Sequence, residues 1–316
     1  MLNIYKTDLI TCETKETDII EKGCWVFLKD PSEAEIERVA SEGRFSIDFL
    51  KAALDREESS RIEIEESETL IILDVPLITF IEKFNEKSVQ YNTIPIGIVL
   101  NDDIIVTVCL VDTKIIDDFL MKKVKGFFTF KKSRFILQII LRIANYYLRY
   151  LKQIDKTSQI IETSLHRSMK NKELIQLLSL EKSLVYFSTS LKANGSVLEK
   201  LMKMKFIKQY PEDEDLLEDA IIENKQAIEM ASIYSNILTG TMDAFASIIN
   251  NNLSTVMKIL TSITIVMAVP TIIASLWGMN VPVPFAEFKF GFLVIIIITG
   301  SIAAIVTYIL ARKNMF

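Results

Sequence analysis

Two long uncharged stretches near the C-terminal end constrain this chain more than any other feature. No charged residue occurs from 259 to 286 or from 290 to 311, and each stretch is long enough for a helix that crosses a lipid bilayer. Charged residues make up 24% of the whole chain, as in ordinary soluble proteins. We therefore expect a soluble part before residue 258, a first span over 258–277, a short loop over 278–289, a second span over 290–311 and a basic tail over 312–316.

Charged residues around the two stretches predict their orientation. Lys258 precedes the first stretch, and Arg312 and Lys313 follow the second. The connecting loop carries only Glu287 and Lys289. Because lysine and arginine prefer the cytoplasmic side of a membrane, we expect both termini in the cytoplasm, with the chain crossing the cell membrane twice.

The charge and composition of the soluble part exclude several classes of protein. The chain has a net charge of −5; residues 258–316 carry +3, which leaves −8 for residues 1–257. Nucleic acid is not an expected partner, because phosphate binding needs a basic surface. The single His166 and the separated Cys12, Cys24 and Cys109 offer no Cys/His zinc site, and we expect reduced, buried thiols. No glycine-rich phosphate loop or nucleophile elbow occurs before residue 211, so we expect neither an enzyme nor an organic cofactor.

The pattern of residues 1–130 predicts an α/β domain in which helices cover a sheet. Runs rich in Ile and Val predict strands, and acidic residues after Pro31-Ser32 favour a helix start. The predicted strands are Trp25–Leu28, Arg61–Ile64, Thr69–Thr79, Thr93–Leu100 and Ile104–Leu110, with a turn at Asn101-Asp102-Asp103. The predicted helices are Ser32–Glu42, Ile47–Leu54 and Asp112–Val124.

From residue 131 the apolar spacing changes to that of helices. No proline occurs between Pro95 and Pro211, which allows long helices. We expect an antiparallel hairpin over 131–210 with helices at 132–170 and 172–206; Asn171 and Asn194-Gly195 are the plausible breaks.

A third long helix is predicted from Pro211 to Trp277. Proline and a burst of acidic residues favour its start, and residues 211–257 would form a cytoplasmic stalk before the first span. At ~1.5 Å per residue such a helix is about 100 Å long. A helix of this length needs partner helices in water, and copies of the same chain are simple candidates.

The two spans differ in the side chains that they carry. The second span is nearly all aliphatic and suits lipid. In the first span one helical face presents Leu260, Thr264, Ala268, Thr271 and Ser275. Hydroxyl groups at these positions either pack helices together or line a wet passage.

A short motif follows the first span, Trp277-Gly278-Met279-Asn280. Glycine permits a sharp turn after a helix, and asparagine offers an uncharged carbonyl oxygen. A ring of such oxygens from several subunits would hold a divalent cation through its water shell, which suits Mg²⁺ because that ion sheds water reluctantly.

In this motif, its position and the order of its parts, the chain resembles the CorA magnesium transporter family. The resemblance implies a funnel-shaped homopentamer in which the first span of each subunit lines one pore. It implies that Gly278, Met279 and Asn280 form the outer selectivity ring for transported Mg²⁺. Met257 and Leu260 would then form a hydrophobic gate, with Thr264, Ala268, Thr271 and Ser275 along the path.

The resemblance also implies a regulatory site for cytoplasmic Mg²⁺. Asp219 matches an acidic residue of that site and Asp243 matches a stalk acid. The partner of Asp219 would come from the α/β domain, where Asp55 follows a helix and Ala52 stands at a position where family members can carry the acid. The acidic residues of 213–215 are the alternative partners, or a simple charged helix start.

The sequence also departs from the family pattern at other positions, and alternative functions stay open. Ala268 replaces a common bulky methionine, Pro270 lies one residue later than usual, and the outer loop lacks the Met-Pro-Glu-Leu run. The zinc-transporting branch of the same superfamily is the first alternative, and Co²⁺ or Ni²⁺ would also fit an asparagine ring. A membrane-anchored sensor or scaffold without ion flux is the second.

Overall fold

The computed structural model describes residues 1–65, 67–83, 86–168, 171–204, 211–284, 289–313 and 315, with the side chains of 80–83, 86–88, 166–168 and 211–212 excepted. Its residues form two compact units, an N-terminal unit of Met1–Gly240 and a C-terminal unit of Thr241–Phe316. Glu287 and the side chain of His166, both considered from the sequence, lie outside this description.

A mixed sheet is the centre of the N-terminal unit. The strands β1 to β7 span Leu2–Thr7, Thr14–Thr17, Cys24–Lys29, Arg61–Glu65, Glu68–Lys83, Glu86–Leu100 and Ile105–Cys109. Among the described residues their order is β2-β1-β3-β7-β6-β5-β4. The pair β3–β7 is parallel and the other neighbours are antiparallel.

Helices cover this sheet, as the sequence predicted, and they do so on both faces. The helices α1 to α5 span Glu33–Gly43, Ile47–Ala52, Lys114–Leu120, Lys132–Ser168 and Asn171–Leu201. Alternation along β3 sends Val26 and Leu28 to the face that packs against Ile36 and Leu50 of α1 and α2. The opposite face presents Trp25, whose ring contacts aromatic side chains at 119, 127 and 135.

A predicted helix start and a predicted turn have the expected local chemistry. Ser32 and Glu35 form a capping box at the start of α1, which satisfies backbone N–H groups that the first helical turn leaves unpaired. At the β6–β7 turn, the Asn101 side chain accepts hydrogen bonds from the backbone N–H groups of Asp103 and Ile104 at 3.0 and 2.9 Å.

Several expectations from the sequence were wrong. The strands β1 and β2 were not predicted, and β5 and β6 are longer than their apolar runs suggested. Cys12 is exposed, whereas Cys24 and Cys109 are buried. Asn194-Gly195 does not break α5, which continues to Leu201. Instead the Asn194 side chain is buried and bonds the backbone of Asp74.

A single long helix, α6, spans Pro211–Trp277 and contributes residues to both units. Its bounds are those predicted from the sequence. Within the N-terminal unit the buried side of α6 is made mostly of small and aliphatic residues, Leu217, Ala220, Ala227, Ala231 and Leu238. Asn224 donates a hydrogen bond to the carbonyl oxygen of Leu191 at 3.2 Å, so this part of α6 packs directly on α5.

The C-terminal unit consists of the remainder of α6 and the helix α7, which spans Gly291–Arg312. Within the described residues, α6 and α7 are the two helices long and apolar enough to cross a membrane. The Ser262 hydroxyl is buried and donates to the carbonyl oxygen of Met315 at 2.9 Å. Ser262 therefore contacts the chain end beyond α7.

Candidate ion-conduction site

The Gly-Met-Asn motif lies in an exposed turn that follows the C-terminal end of α6. The Gly278 N–H donates to the carbonyl oxygen of Ala274 at 2.9 Å. The Trp277 indole N–H donates to the carbonyl oxygen of Pro284 at 3.1 Å, and its ring lies 6.5 Å from that of Phe292. These contacts attach the turn to the following loop and to α7.

Gly278 is needed in this turn for its small size and not for a left-handed backbone conformation. Its φ lies outside the left-handed region, so the turn does not depend on that freedom. A Cβ at this position would lie 3.2 Å from the carbonyl oxygen of Ala274. Glycine is favoured here because the backbone closes tightly on the preceding helical turn.

Met279 and Asn280 are exposed at the end of this turn. Within the described part of the chain, no hydrogen bond engages the Asn280 side chain. Its amide oxygen is therefore available to a hydrated ion or to another subunit.

The side chains predicted to line a pore all lie on α6 and remain largely uncovered in one chain. Met257, Leu260, Thr264, Thr271 and Ser275 are exposed, and Ala268 is half-buried. The Thr264 hydroxyl donates to the carbonyl oxygen of Leu260 at 2.8 Å, and the Thr271 hydroxyl donates to that of Met267 at 3.0 Å. With their protons used inside the helix, these hydroxyl oxygens can accept hydrogen bonds from the water shell of a cation.

The predicted regulatory acids are exposed but do not form a site within one chain. Asp219 and Asp243 are exposed on α6, and Asp55 is exposed in the turn after α2. The Asp55 carboxylate accepts a hydrogen bond from the Glu57 N–H at 3.0 Å, and no ion pair or hydrogen bond between described residues joins it to Asp219. The described residues contain no group of three or more His, Cys, Asp or Glu that could hold a metal ion.

Asp213, one of the alternative acids, is excluded as a freely accessible ligand. Its side chain is 4% exposed and pairs with the Arg134 guanidinium at 3.5 Å. Sequence reasoning did not identify this pair because the two residues are far apart in the chain. The exposed alternatives near it are Glu214 and Asp215.

Comparisons with known proteins place this geometry in a family. Residues 21–312 match the family of CorA-like Mg²⁺ transporter proteins. The cobalt/magnesium transport protein CorA of Methanocaldococcus jannaschii is 31% identical over 296 residues, which cover 92% of this chain and 90% of that protein.

Solved structures agree with the sequence comparison. The complete structure of the CorA magnesium transporter from M. jannaschii superposes with a TM-score of 0.85 at 26% identity, covering 100% of this chain and 99% of that one. The ZntB cytoplasmic domain from Vibrio parahaemolyticus is similar in fold alone, with a TM-score of 0.57 at 13% identity over 79% of this chain and 96% of that one. The match spans both the α/β domain and the two apolar helices, so the chain belongs to the CorA-like Mg²⁺ transporter family, whose members are membrane ion transporters and not enzymes.

Proposed function

We propose that this protein conducts Mg²⁺ across the cell membrane, down its electrochemical gradient, through a pore shared by five copies of the chain. Both termini lie in the cytoplasm, and the first span of each copy, residues 258–277, lines the pore. The observation that carries the proposal is the exposed Gly-Met-Asn turn at the end of a long apolar helix. The names of the M. jannaschii relatives support magnesium as the ion.

Ion selection takes place at the ring of Gly278, Met279 and Asn280. Uncharged amide oxygens bind the water shell of Mg²⁺ without removing it, and they release the ion more readily than carboxylates would. The contacts of Trp277 with Pro284 and Phe292 support this role, because they fix the turn that carries Asn280.

Closure takes place at the other end of the first span. Met257 and Leu260 form a hydrophobic constriction, and ions cannot pass it when water leaves the narrow apolar segment of the pore. The exposure of both side chains in one chain supports this assignment, since the described residues of the same chain leave more than half of each uncovered. Thr264, Ala268, Thr271 and Ser275 line the path between gate and ring.

Cytoplasmic Mg²⁺ regulates the gate by binding acidic residues of neighbouring copies. Asp219 and Asp55 are the proposed ligands, and Asp243 contributes a second acidic ring along the stalk. Their exposure supports a site between copies, where carboxylates from two chains would meet. Bound Mg²⁺ would hold the copies together and keep the pore closed.

Liposomes that contain the purified protein and a Mg²⁺-sensitive dye test the proposal. With a membrane potential and no pH gradient, we expect Mg²⁺ entry in the wild type and none in Asn280→Ala. Asn3→Ala is a matched control, because Asn3 lies on a strand of the N-terminal unit and its side-chain amide donates, among the described residues, to the exposed Glu16 at 2.6 Å. Equal flux in wild type and Asn280→Ala would exclude the selectivity ring, and no flux from folded, oligomeric wild type would favour an anchored sensor.

Two further measurements address assembly and ion choice. Mass determination of the detergent-solubilised protein should give five copies, and a dimer would remove the central pore.

The cobalt/magnesium name of the M. jannaschii relative favours Co²⁺ as a second permeant ion. Adding Co²⁺, Ni²⁺ or Zn²⁺ to the liposome assay ranks these ions, and entry of Zn²⁺ in place of Mg²⁺ would contradict the proposed ion.

A further inference from the structure

A polar cleft of about 560 Å³ lies in the N-terminal unit between the end of α3 and one face of α4. Neither the pore nor the regulatory acids use it. The polar side chains that line it are Asp118, Lys123, Arg142, Asn145, Tyr146 and Arg149.

The cleft has more positive than negative charge. Asp118 is its one carboxylate, and the Asp118 side chain is 6% exposed. It accepts a hydrogen bond from the Tyr146 hydroxyl at 2.9 Å and pairs with Lys123 and Arg142 at 3.2 and 3.4 Å. The negative charge of Asp118 is thus fully engaged, while the long Arg142 contact leaves that guanidinium with donors to spare.

Arg149 provides the unused charge of the cleft. The residues that the structure describes place no carboxylate within ion-pair distance of its guanidinium. Instead the guanidinium lies 5.5 Å from the centre of the Tyr146 ring, a contact that orients it without neutralising it.

The positive groups are held in place before any ligand arrives. Arg142, Tyr146 and Arg149 follow one another at helical spacing on α4, so they share one face. Tyr146 is buried and fixed by Asp118, and Arg142 also donates to the carbonyl oxygen of Lys123 at 3.3 Å. One buried carboxylate therefore positions side chains from both walls of the cleft.

We propose that this cleft binds a small phosphate-bearing anion. Guanidinium groups match phosphate oxygens with two parallel N–H donors each, and Asn145 adds an amide at the rim. The volume of the cleft falls in the range of small-molecule sites. The same charge excess repels Mg²⁺, which separates this site from the acidic regulatory residues.

Binding of sodium pyrophosphate to the full-length protein in detergent tests the proposal. Titration calorimetry in divalent-free buffer at fixed ionic strength should show saturable binding at one site per chain. Arg149→Gln should weaken it about tenfold through loss of a charge-assisted contact, as should Lys123→Gln. Lys152→Gln is the matched control, because Lys152 is exposed on the same helix outside the cleft lining, and it should change affinity less than twofold.

Each outcome decides the matter. Absence of saturable heat in the wild type overturns the proposal. That result is also expected if an acidic surface of a neighbouring copy occupies the cleft. Equal weakening by Lys152→Gln and Arg149→Gln also overturns it, since the attraction would then be unspecific. Glycerol 3-phosphate in the same titration separates a lipid headgroup from a soluble polyphosphate: preference for pyrophosphate indicates the soluble source.

Discussion

Asn194→Ala should destabilise the N-terminal unit more than its position in the middle of a helix suggests. The strand β4 begins at Arg61, which pairs with Ile72 of β5, so Asp74 lies beyond the end of β4. Its partner in β6 is Pro95, which has no backbone N–H to donate. Asn194 of α5 completes the sheet at this point. Its side chain accepts from the Asp74 N–H at 2.9 Å and donates to the Asp74 carbonyl oxygen at 2.8 Å.

The structure gives an approximate size for this effect. Asn194 is 1% exposed and also accepts a hydrogen bond from the Ser60 hydroxyl at 2.9 Å. Three partly buried hydrogen bonds at about 1 kcal/mol each give a loss of about 3 kcal/mol in the free energy of unfolding. For a unit of this size the melting temperature should fall by roughly 6–12 °C. Remaining contacts of Asp74 with Ser60 and Tyr147 keep the loss from being larger.

Melting of the detergent-solubilised protein, followed by tryptophan fluorescence, measures this loss. Trp25 is buried in the sheet and reports on the N-terminal unit. Ser196→Ala is the matched control, because the exposed Ser196 hydroxyl donates within α5, to the carbonyl oxygen of Lys192 at 3.3 Å. A melting temperature of Asn194→Ala within about 2 °C of that control would refute the idea that Asn194 completes the sheet.

Three other predictions follow from the site and the sheet. Asp219→Ala should remove the protection against proteolysis that millimolar Mg²⁺ gives the soluble part; identical digestion of wild type with and without Mg²⁺ would exclude regulation there. Gly278→Ala should lower Mg²⁺ flux several-fold while leaving assembly intact, because its Cβ would press on the Ala274 carbonyl oxygen; unchanged flux would show that the turn tolerates it. Burial raises the pKa of the Asp74 carboxyl above the ordinary value of 3.8. The stability that the protonated carboxyl allows is therefore fully present below pH 3.8, and it is lost as the pH rises through the raised pKa. Asp74→Asn should therefore raise the melting temperature at pH 7 but not at pH 3.5, and an equal gain at both would contradict the burial effect.

The long helices were predictable because their signal is local. Between Pro211 and Trp277 the apolar spacing is continuous, and α6 has those bounds in the structure. The strands β1 and β2 were missed because their assignment depends on long-range pairing, β1 with β3 and β2 with β1, which local propensity does not encode. Asn194-Gly195 was wrongly predicted as a helix break for a related reason, because both residues serve contacts with distant parts of the chain. Asn194 completes the sheet. Gly195 lets α6 approach α5, since a Cβ at this position would lie 3.2 Å from the Asn224 amide nitrogen.

In the candidate site, too, local features were predictable and long-range contacts were not. The motif at 278–280 is contiguous, so its residues could be named from the sequence together with the turn that carries them. The contacts that fix this turn, from Trp277 to Pro284 and Phe292, were not predicted, since they depend on how the loop and α7 return. The cleft around Asp118 was not predicted either, although its positive residues on α4 follow a helical spacing that is visible in the sequence.

The proposed pore is a property of the assembly, and one chain shows why. Leu260 at the start of the first span and Met257 just before it are more than half exposed. The Asn280 side chain, just after the span, has no hydrogen-bond partner among the described residues. A lipid-facing helix would leave apolar side chains uncovered in the same way, but it would gain nothing from the hydroxyl groups of Thr264 and Thr271. These hydroxyls donate inside the helix and leave acceptor oxygens on the same face as Leu260. A face that combines an apolar constriction with acceptor oxygens, and that is followed by an unbonded amide, suits a water-filled path better than a lipid contact. Such a path is enclosed only when several copies of the chain bring this face together.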